Sequence, residues 1–357
     1  MTGNASLPDG FNIKTADWHF DKLTEFTEFK QAIGEPSPHL TVVGYLCKNL
    51  PVMDRVWLIG CYAATYCLPT AQVIFNSWKY QDIRDHPDKF KNWLTENWKG
   101  IVTRTERRAV RSVPKFYQCI TTYIDWMETE FPRLQKLRGL DPVAMYDTVW
   151  DSVTKNIYSF GRYISIRMIE GLRRYCDIPA QLYDLRSIGG WSPKKCLCYL
   201  YPDDASTMLK DDALGNKITN EIFENLLMQM RDYLPKLDYY VLAAMLCEYK
   251  GAYENRHQYV GWTIDQEPLL YDKIIAYWGN TIDTHALWEA RTASFPIQVL
   301  GEKGDRWNGT RWDLAKVLRD YGYNWTDMKY NYMKTLESGD FSKPIPWKEG
   351  DVIWALK

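Results

Sequence analysis

The sequence lacks a Cys-x-x-Cys pair and a His-Glu-x-x-His motif. Its 8 cysteines and 5 histidines are scattered, and Cys196-x-Cys198 has no nearby histidine to complete a zinc set, so no structural metal is expected. Unpaired cysteines are expected to be free thiols in a reducing compartment. Also missing are a Walker-type phosphate loop, a Gly-x-Gly-x-x-Gly turn and a Gly-x-Ser-x-Gly elbow, which argues against nucleotide hydrolysis, nicotinamide chemistry and ester hydrolysis. No run of about 18 apolar residues occurs, and the opening MTGNASLPDGFNIKTADW has no apolar centre, so neither membrane spanning nor secretion is expected. An excess of charge of one sign is absent too. Lys and Arg total 44 against 45 Asp and Glu, which excludes a uniformly basic coat and requires any polyanion to be met by a local patch.

What is present is aromatic and helical. The 16 Trp and 25 Tyr serve equally as core, interface anchors or stacking platforms, and their number alone decides nothing. After a polar leader, residues 1–16, the segment DWHFDKLTEFTEFKQAIG places Phe20, Leu23, Phe26, Phe29 and Ile33 near helical spacing, with Gly34 as a stop. The stretch MDRVWLIGCYAATYCLPTAQVIFNSW breaks at Pro69 and predicts two buried helices packed closely through Gly60, Ala63 and Ala64. Helical periodicity continues over 115–137, 145–175, 193–201, 219–249 and 266–290, with no series of alternating strands. The expected fold is mainly α, a multi-helix globular bundle over 17–290. The stretch 291–357 is expected to form a less regular C-terminal extension packed on it, with a helix near 311–321 and a short final strand.

Four stretches concentrate chemistry. RTERRAVRSVPK sets Arg104, Arg107, Arg108, Arg111 and Lys115 at helical intervals; as one helix they form a cationic stripe for successive phosphates, or a solvated face. SIGGWSPKK offers Ser192 as N-cap, Pro193 at the first helical position, and Lys194 and Lys195 in the first turn. That is an anion site at a helix start, or an ordinary capped helix.

NIYSFGRYISIRMIEGLRRY, projected as one helix, gathers Ile157, Phe160, Gly161, Ile164, Met168, Ile169 and Leu172 on an apolar arc, with Tyr163, Arg167, Glu170 and Arg174 opposite. Arg162 and Arg173 fall at the border, where a guanidinium reaches a cleft; the alternative is that Arg162 pairs with Asp184. Gly161 reads as clearance for a neighbouring helix. CEYKGAYENRHQYVGWTID crowds Glu248, Lys250, Glu254, Arg256, His257, Tyr259 and Asp265 at the end of an apolar helix, as an active-site loop or a solvent loop would.

These runs together, with DIPAQLYDLRSIGGWSPKKCLCYLYP, resemble the amino acid:DNA transferases of bacteriophages. That helical family is related to alpha-glutamyl/putrescinyl thymine pyrophosphorylases and to the helical domain of 5-hydroxymethyluracil DNA kinases. The resemblance covers about residues 40–290 and is most specific at Gly161-Arg162-Tyr163, Asp184-x-Arg186, and Tyr259-x-Gly261 followed by Asp265.

The resemblance implies a transferase that replaces the pyrophosphate of 5-(pyrophosphoryloxymethyl)deoxyuridine with an amino acid, glycine favoured, to build a hypermodified thymine on a flipped base. It implies double-stranded DNA and a free amino acid as partners, the host cytoplasm as location, and no cofactor beyond a divalent cation that accompanies pyrophosphate. In that chemistry Arg162, Arg186, Lys194 and Lys195 receive the leaving group, and Glu248 or Asp265 binds or deprotonates the ammonium. Arg173 addresses the amino acid carboxylate, and Ser192, Asp184, Tyr163, Lys250, Arg256 and Tyr259 complete the substrate contacts. Arg104, Arg107, Arg108, Arg111 and Lys115 hold the DNA backbone. The competing readings are a glycosylase-like enzyme, a non-catalytic binder of modified bases, and a helical scaffold.

Overall fold

A computed structural model of the chain describes residues 15–32, 37–185, 191–253, 274–279 and 284–294. Among these residues the regular structure is helical and there is no strand, so the fold is mainly α. The chain divides into two compact units.

One unit holds α2 (Pro38–Cys47), α3 (Val52–Thr65), α4 (Leu68–Ser77), α5 (Tyr80–Asp85), α6 (Pro87–Asn97), α7 (Val113–Lys136), α8 (Pro142–Asn156), α9 (Arg162–Tyr175) and α14 (Thr284–Ser294). Its core is built around α3, in which every residue from Val56 to Thr65 is buried. α3 packs against α2, α4, α7 and α9. The approach is close because small residues line it. A side chain at Gly60 would overlap the Tyr123 ring of α7, and Gly171 of α9 lies against Ile59 and Leu40. Tyr123 seals the same contact by donating its hydroxyl to the Val56 carbonyl oxygen at 2.5 Å. The close contact at Gly60 is thus with Tyr123 of α7, where the sequence suggests α4. Pro69 lies in the first turn of α4, so the break it predicts falls at Cys67, since proline fits a first turn.

The other unit holds α1 (Ala16–Ala32), α10 (Trp191–Leu200), α11 (Ala205–Met208), α12 (Ala213–Arg231) and α13 (Tyr239–Tyr253). α10 packs on α13, and α1 covers both. Leu23 and Phe26 of α1 are fully buried, as their spacing predicts. Asp212 caps α12 through the Gly215 amide at 2.7 Å.

Two expected long helices are each broken. The stretch 145–175 divides at 157–161, where Ser159 has φ of 61° and Gly161 becomes the N-cap of α9. The stretch 219–249 divides between α12 and α13. In both turns apolar side chains still point inward, Ile157 and Phe160 in one and Leu234 and Leu237 in the other, so the hydrophobic period runs on through the break and hides it. The expected C-terminal helix and strand lie outside the described residues.

Candidate functional site

The basic segment is not a stripe. Residues Thr105–Val110 form a short 3-10 turn, and α7 begins only at Val113. Arg107 therefore turns inward and is 2 % exposed. It donates through Nε to the Ala64 carbonyl at 2.9 Å, through Nη1 to the Ser159 carbonyl at 2.7 Å, and through Nη2 to the Cys119 sulfur at 3.2 Å. Burial lowers its pKa, with Cys119 opposing. Arg107 is thus a strut, not a backbone contact. Arg108, Arg111 and Lys115 remain exposed.

Arg162 is corrected in the same way. As the first residue of α9 it is exposed and forms no ion pair with Asp184 or any other described residue. A side chain added at Gly161 meets no described residue within 4 Å, and among the described residues Gly171 is the close-approach position of α9. Because Arg107 ties the 3-10 turn to Ser159, the segment carrying Arg108 and the turn leading to Arg162 are joined.

The face of α9 that reads as polar is not a solvent face either: Glu170 is buried on it and Tyr163, Arg167 and Arg174 are half-buried. The Glu170 side chain is fully buried between Arg167, 2.8 Å from Oε2, and Arg174, 2.7 Å from Oε1. Arg167 stacks over the Tyr163 ring, 5.4 Å from its centroid. The Tyr163 hydroxyl meets the Tyr66 hydroxyl at 2.5 Å. Tyr66 itself sits at the C-cap of α3 in the left-handed region, φ 50° and ψ 28°, an uncommon state for a bulky residue. That conformation aims its ring among Tyr62 at 5.3 Å, Tyr163 at 5.4 Å and His39 at 6.0 Å.

Arg104 closes the cluster. It lies over Tyr66 at 5.8 Å and its Nη1 is 2.7 Å from His39 Nε2. A guanidinium has no lone pair to offer, so Nε2 accepts and the His39 proton resides on Nδ1.

Electrostatics follow from burial. It pushes the Tyr62, Tyr66 and Tyr163 hydroxyls well above the usual phenol range, so all three are neutral donors. Burial opposes the Arg167 cation, but Tyr163, Glu170 and Tyr66 more than offset it and raise its pKa well above the usual value. Arg104 is raised likewise, burial again opposing and Glu106 and the tyrosines outweighing it. Cys119 and Cys47 are poor nucleophiles: burial raises Cys119 to about 11 and Cys47 to about 12.

In the unit that contains α13, Glu248 is 2.9 Å from Nζ of Lys30 of α1, whose side chain is 1 % exposed. Lys250 is buried. His19 Nδ1 meets the Tyr249 hydroxyl at 2.9 Å and its ring stacks on Tyr199 at 5.0 Å. Burial lowers the His19 pKa to about 4. α10 begins at Trp191, so Ser192 lies inside the first turn and is not its N-cap. Lys194 donates to Asn216 Oδ1 at 2.9 Å, and Lys195 is half-buried. Asp184 is buried and Arg173 half-buried. Arg186, Arg256, Tyr259 and Asp265 lie outside the described residues.

Sequence reasoning passes over Tyr62, Tyr66, His39, Arg167, Glu170 and Lys30 as site residues. A signal was available in the i, i+4 pairs Tyr62–Tyr66 and Tyr163–Arg167, which stack donors on one helical face.

Residues 39–258 match the family model described as amino acid:DNA transferase. No curated protein and no solved structure matches the chain.

Proposed function

The chain belongs to the amino acid:DNA transferase family, and on that premise we propose that it replaces the pyrophosphate of a 5-(pyrophosphoryloxymethyl)deoxyuridine in DNA with an amino acid, glycine first. The amine nitrogen forms a bond to the exocyclic methylene carbon as the carbon–oxygen bond to pyrophosphate breaks. Pyrophosphate departs with the bonding pair, and the amine proton passes to a carboxylate, Glu248 or Asp265. Such a carbon needs no covalent help from the protein, and the buried, weakly acidic cysteines support direct displacement.

The observation that carries this reading is the Arg107 strut. It joins the segment of Arg108, Arg111 and Lys115 to the turn before Arg162, and these four exposed cations suit the phosphates of double-stranded DNA. Aromatic residues would hold the base once it is flipped from the stack. Arg186, Lys194 and Lys195 remain proposed phosphate contacts, and Arg173 the contact to the amino acid carboxylate.

The test is incubation of the protein with DNA carrying the pyrophosphorylated base and each amino acid in turn. One amino acid should release pyrophosphate and yield a nucleoside of matching mass. DNA binding without release for any amino acid would replace this reading with that of a base-binding or glycosylase-like protein.

A further inference from the structure

A cavity between the start of α1, the end of α10 and the end of α12 takes no part in the proposed displacement. It has a volume of about 360 Å³ and is lined by Asp17 and Phe20 of α1, by Tyr201 just after α10, and by Gln229, Asp232 and Tyr233 at the end of α12. All of these residues belong to one compact unit. Phe20 and Tyr233 meet edge to face at 6.1 Å, and Tyr201 donates its hydroxyl to Gln229 Oε1 at 3.3 Å. Three aromatic rings and two carboxylates thus line one space.

This cavity is rich in acceptors and poor in cations. Neither Asp17 nor Asp232 forms an ion pair or a side-chain hydrogen bond with a described residue. Arg231, next to Asp232, is turned elsewhere: it donates to the Leu237 carbonyl at 2.9 Å and lies over the Tyr239 ring. Lys22 of α1 pairs with Glu25. Asp232 follows the last turn of α12, the negative end of the helix dipole, which also favours a cation. Asp17, in the first turn of α1, already supplies the negative charge that a helix start attracts.

We propose that this cavity binds a small aliphatic diamine. Each ammonium group donates to a carboxylate, and the methylene chain between them lies against the rings, whose negative faces attract the cation as well. The two carboxylates come from separate helices, so a ligand with two ammonium groups satisfies both, whereas one with a single group leaves the other carboxylate unpaired. A divalent metal ion is the poorer fit. Among the described residues no group of three His, Cys, Asp or Glu side chains could hold one, and aromatic walls offer it no oxygen ligands. An amino acid fits poorly too, because its own carboxylate would enter beside Asp17 and Asp232. The cavity is therefore distinct from the contacts proposed for the transferred amino acid, and it stands independently of the transferase reading.

The test is calorimetric titration of the full chain at low salt with 1,5-diaminopentane, pentylamine, 5-aminopentanoate and magnesium chloride. The diamine should bind, and pentylamine should bind about tenfold more weakly for want of the second charged hydrogen bond. Neither 5-aminopentanoate nor magnesium should displace the diamine. Asp232→Asn removes one carboxylate at a helix end, where an acid adds nothing to the fold, and should weaken diamine binding about tenfold. Tyr233→Leu keeps an apolar side chain at a position that is 67 % exposed. It should weaken binding about threefold, as loss of a cation–π contact does. Both variants should melt at the parental temperature. Asp125→Asn, at an exposed position of α7 in the other unit, makes the same charge change and should leave the affinity unaltered.

The site is overturned by any of four results: no diamine binding, parental affinity in Asp232→Asn or in Tyr233→Leu, an equal loss in Asp125→Asn, or displacement of the diamine by an equal concentration of magnesium or 5-aminopentanoate.

Discussion

The Arg107 guanidinium donates to the Ser159 carbonyl oxygen at 2.7 Å, across 52 residues of chain. This bond fastens a strongly basic stretch to the turn that launches α9, and a second one from the same group reaches the end of α3 at Ala64. A cation is thereby placed inside the protein so that its neighbours in sequence can face outward.

Removing that strut separates folding from nucleic-acid binding. Arg107→Ala leaves the Ala64 and Ser159 carbonyls without this donor and should cost about 3 kcal/mol in urea denaturation. Arg108→Ala and Arg162→Ala should leave the denaturation midpoint where it is. On DNA they should lower affinity, and the slope of log affinity against log salt should flatten by about 0.9 for each phosphate that is no longer neutralised. An unchanged salt slope in both would remove these residues from any DNA interface.

The glycines of α3 and α9 should respond in opposite directions. A methyl group at Gly60 has to displace the buried Tyr123 ring, so Gly60→Ala should cost about 2 kcal/mol or more. Gly161 is an N-cap that no described residue crowds, and Gly161→Ser should be neutral or stabilising by about 0.3 kcal/mol. Thermal melts of the two variants check both.

Glu170 is the acid of the α9 ion-pair triad, and its side chain is fully buried. Glu170→Gln leaves Arg167 and Arg174 as adjacent cations and should destabilise by about 3 kcal/mol. Adding Arg174→Gln should recover part of that stability, because the second substitution removes one of the two repelling charges. A strictly additive double variant would show that the triad is not coupled.

His19 predicts an acid-side fall in stability. Its pKa is about 4 in the fold against the usual 6.5, so below 6.5 the unfolded chain binds a proton that the folded chain does not. The contribution is complete above pH 6.5, falls as the pH drops, and is gone near pH 4. The difference is worth on the order of 3 kcal/mol. His19→Phe retains a ring to stack on Tyr199 and should show a correspondingly smaller fall in unfolding free energy between about pH 7 and pH 4.5. Parallel pH profiles for parent and variant would exclude His19 as the source.

The helical class and most core faces were legible along the chain, since Leu23, Phe26, Ile164, Met168 and Leu172 repeat at helical intervals and are buried. The breaks at 157–161 and 232–238 were not, because Ile157, Phe160, Leu234 and Leu237 are buried in turns as they would be in helices. The site suffered from the same confusion in reverse. Arg162 follows an apolar arc and looks like the charge at a cleft, yet it is exposed at a helix start, while Arg167, on the face that reads as solvent, is half-buried against the buried Glu170.

Local periodicity determines which segments are helices and which of their faces are apolar, because that information lies within a few residues of chain. Whether a charged side chain ends in water or in a core depends on partners far away in sequence. Arg107 needs Ala64 and Ser159, and Tyr163 needs Tyr66. A buried charge survives only where such partners satisfy it, and the tertiary fold alone brings them together. That is why helices and family were readable from the sequence, while the choice of arginine was made by packing.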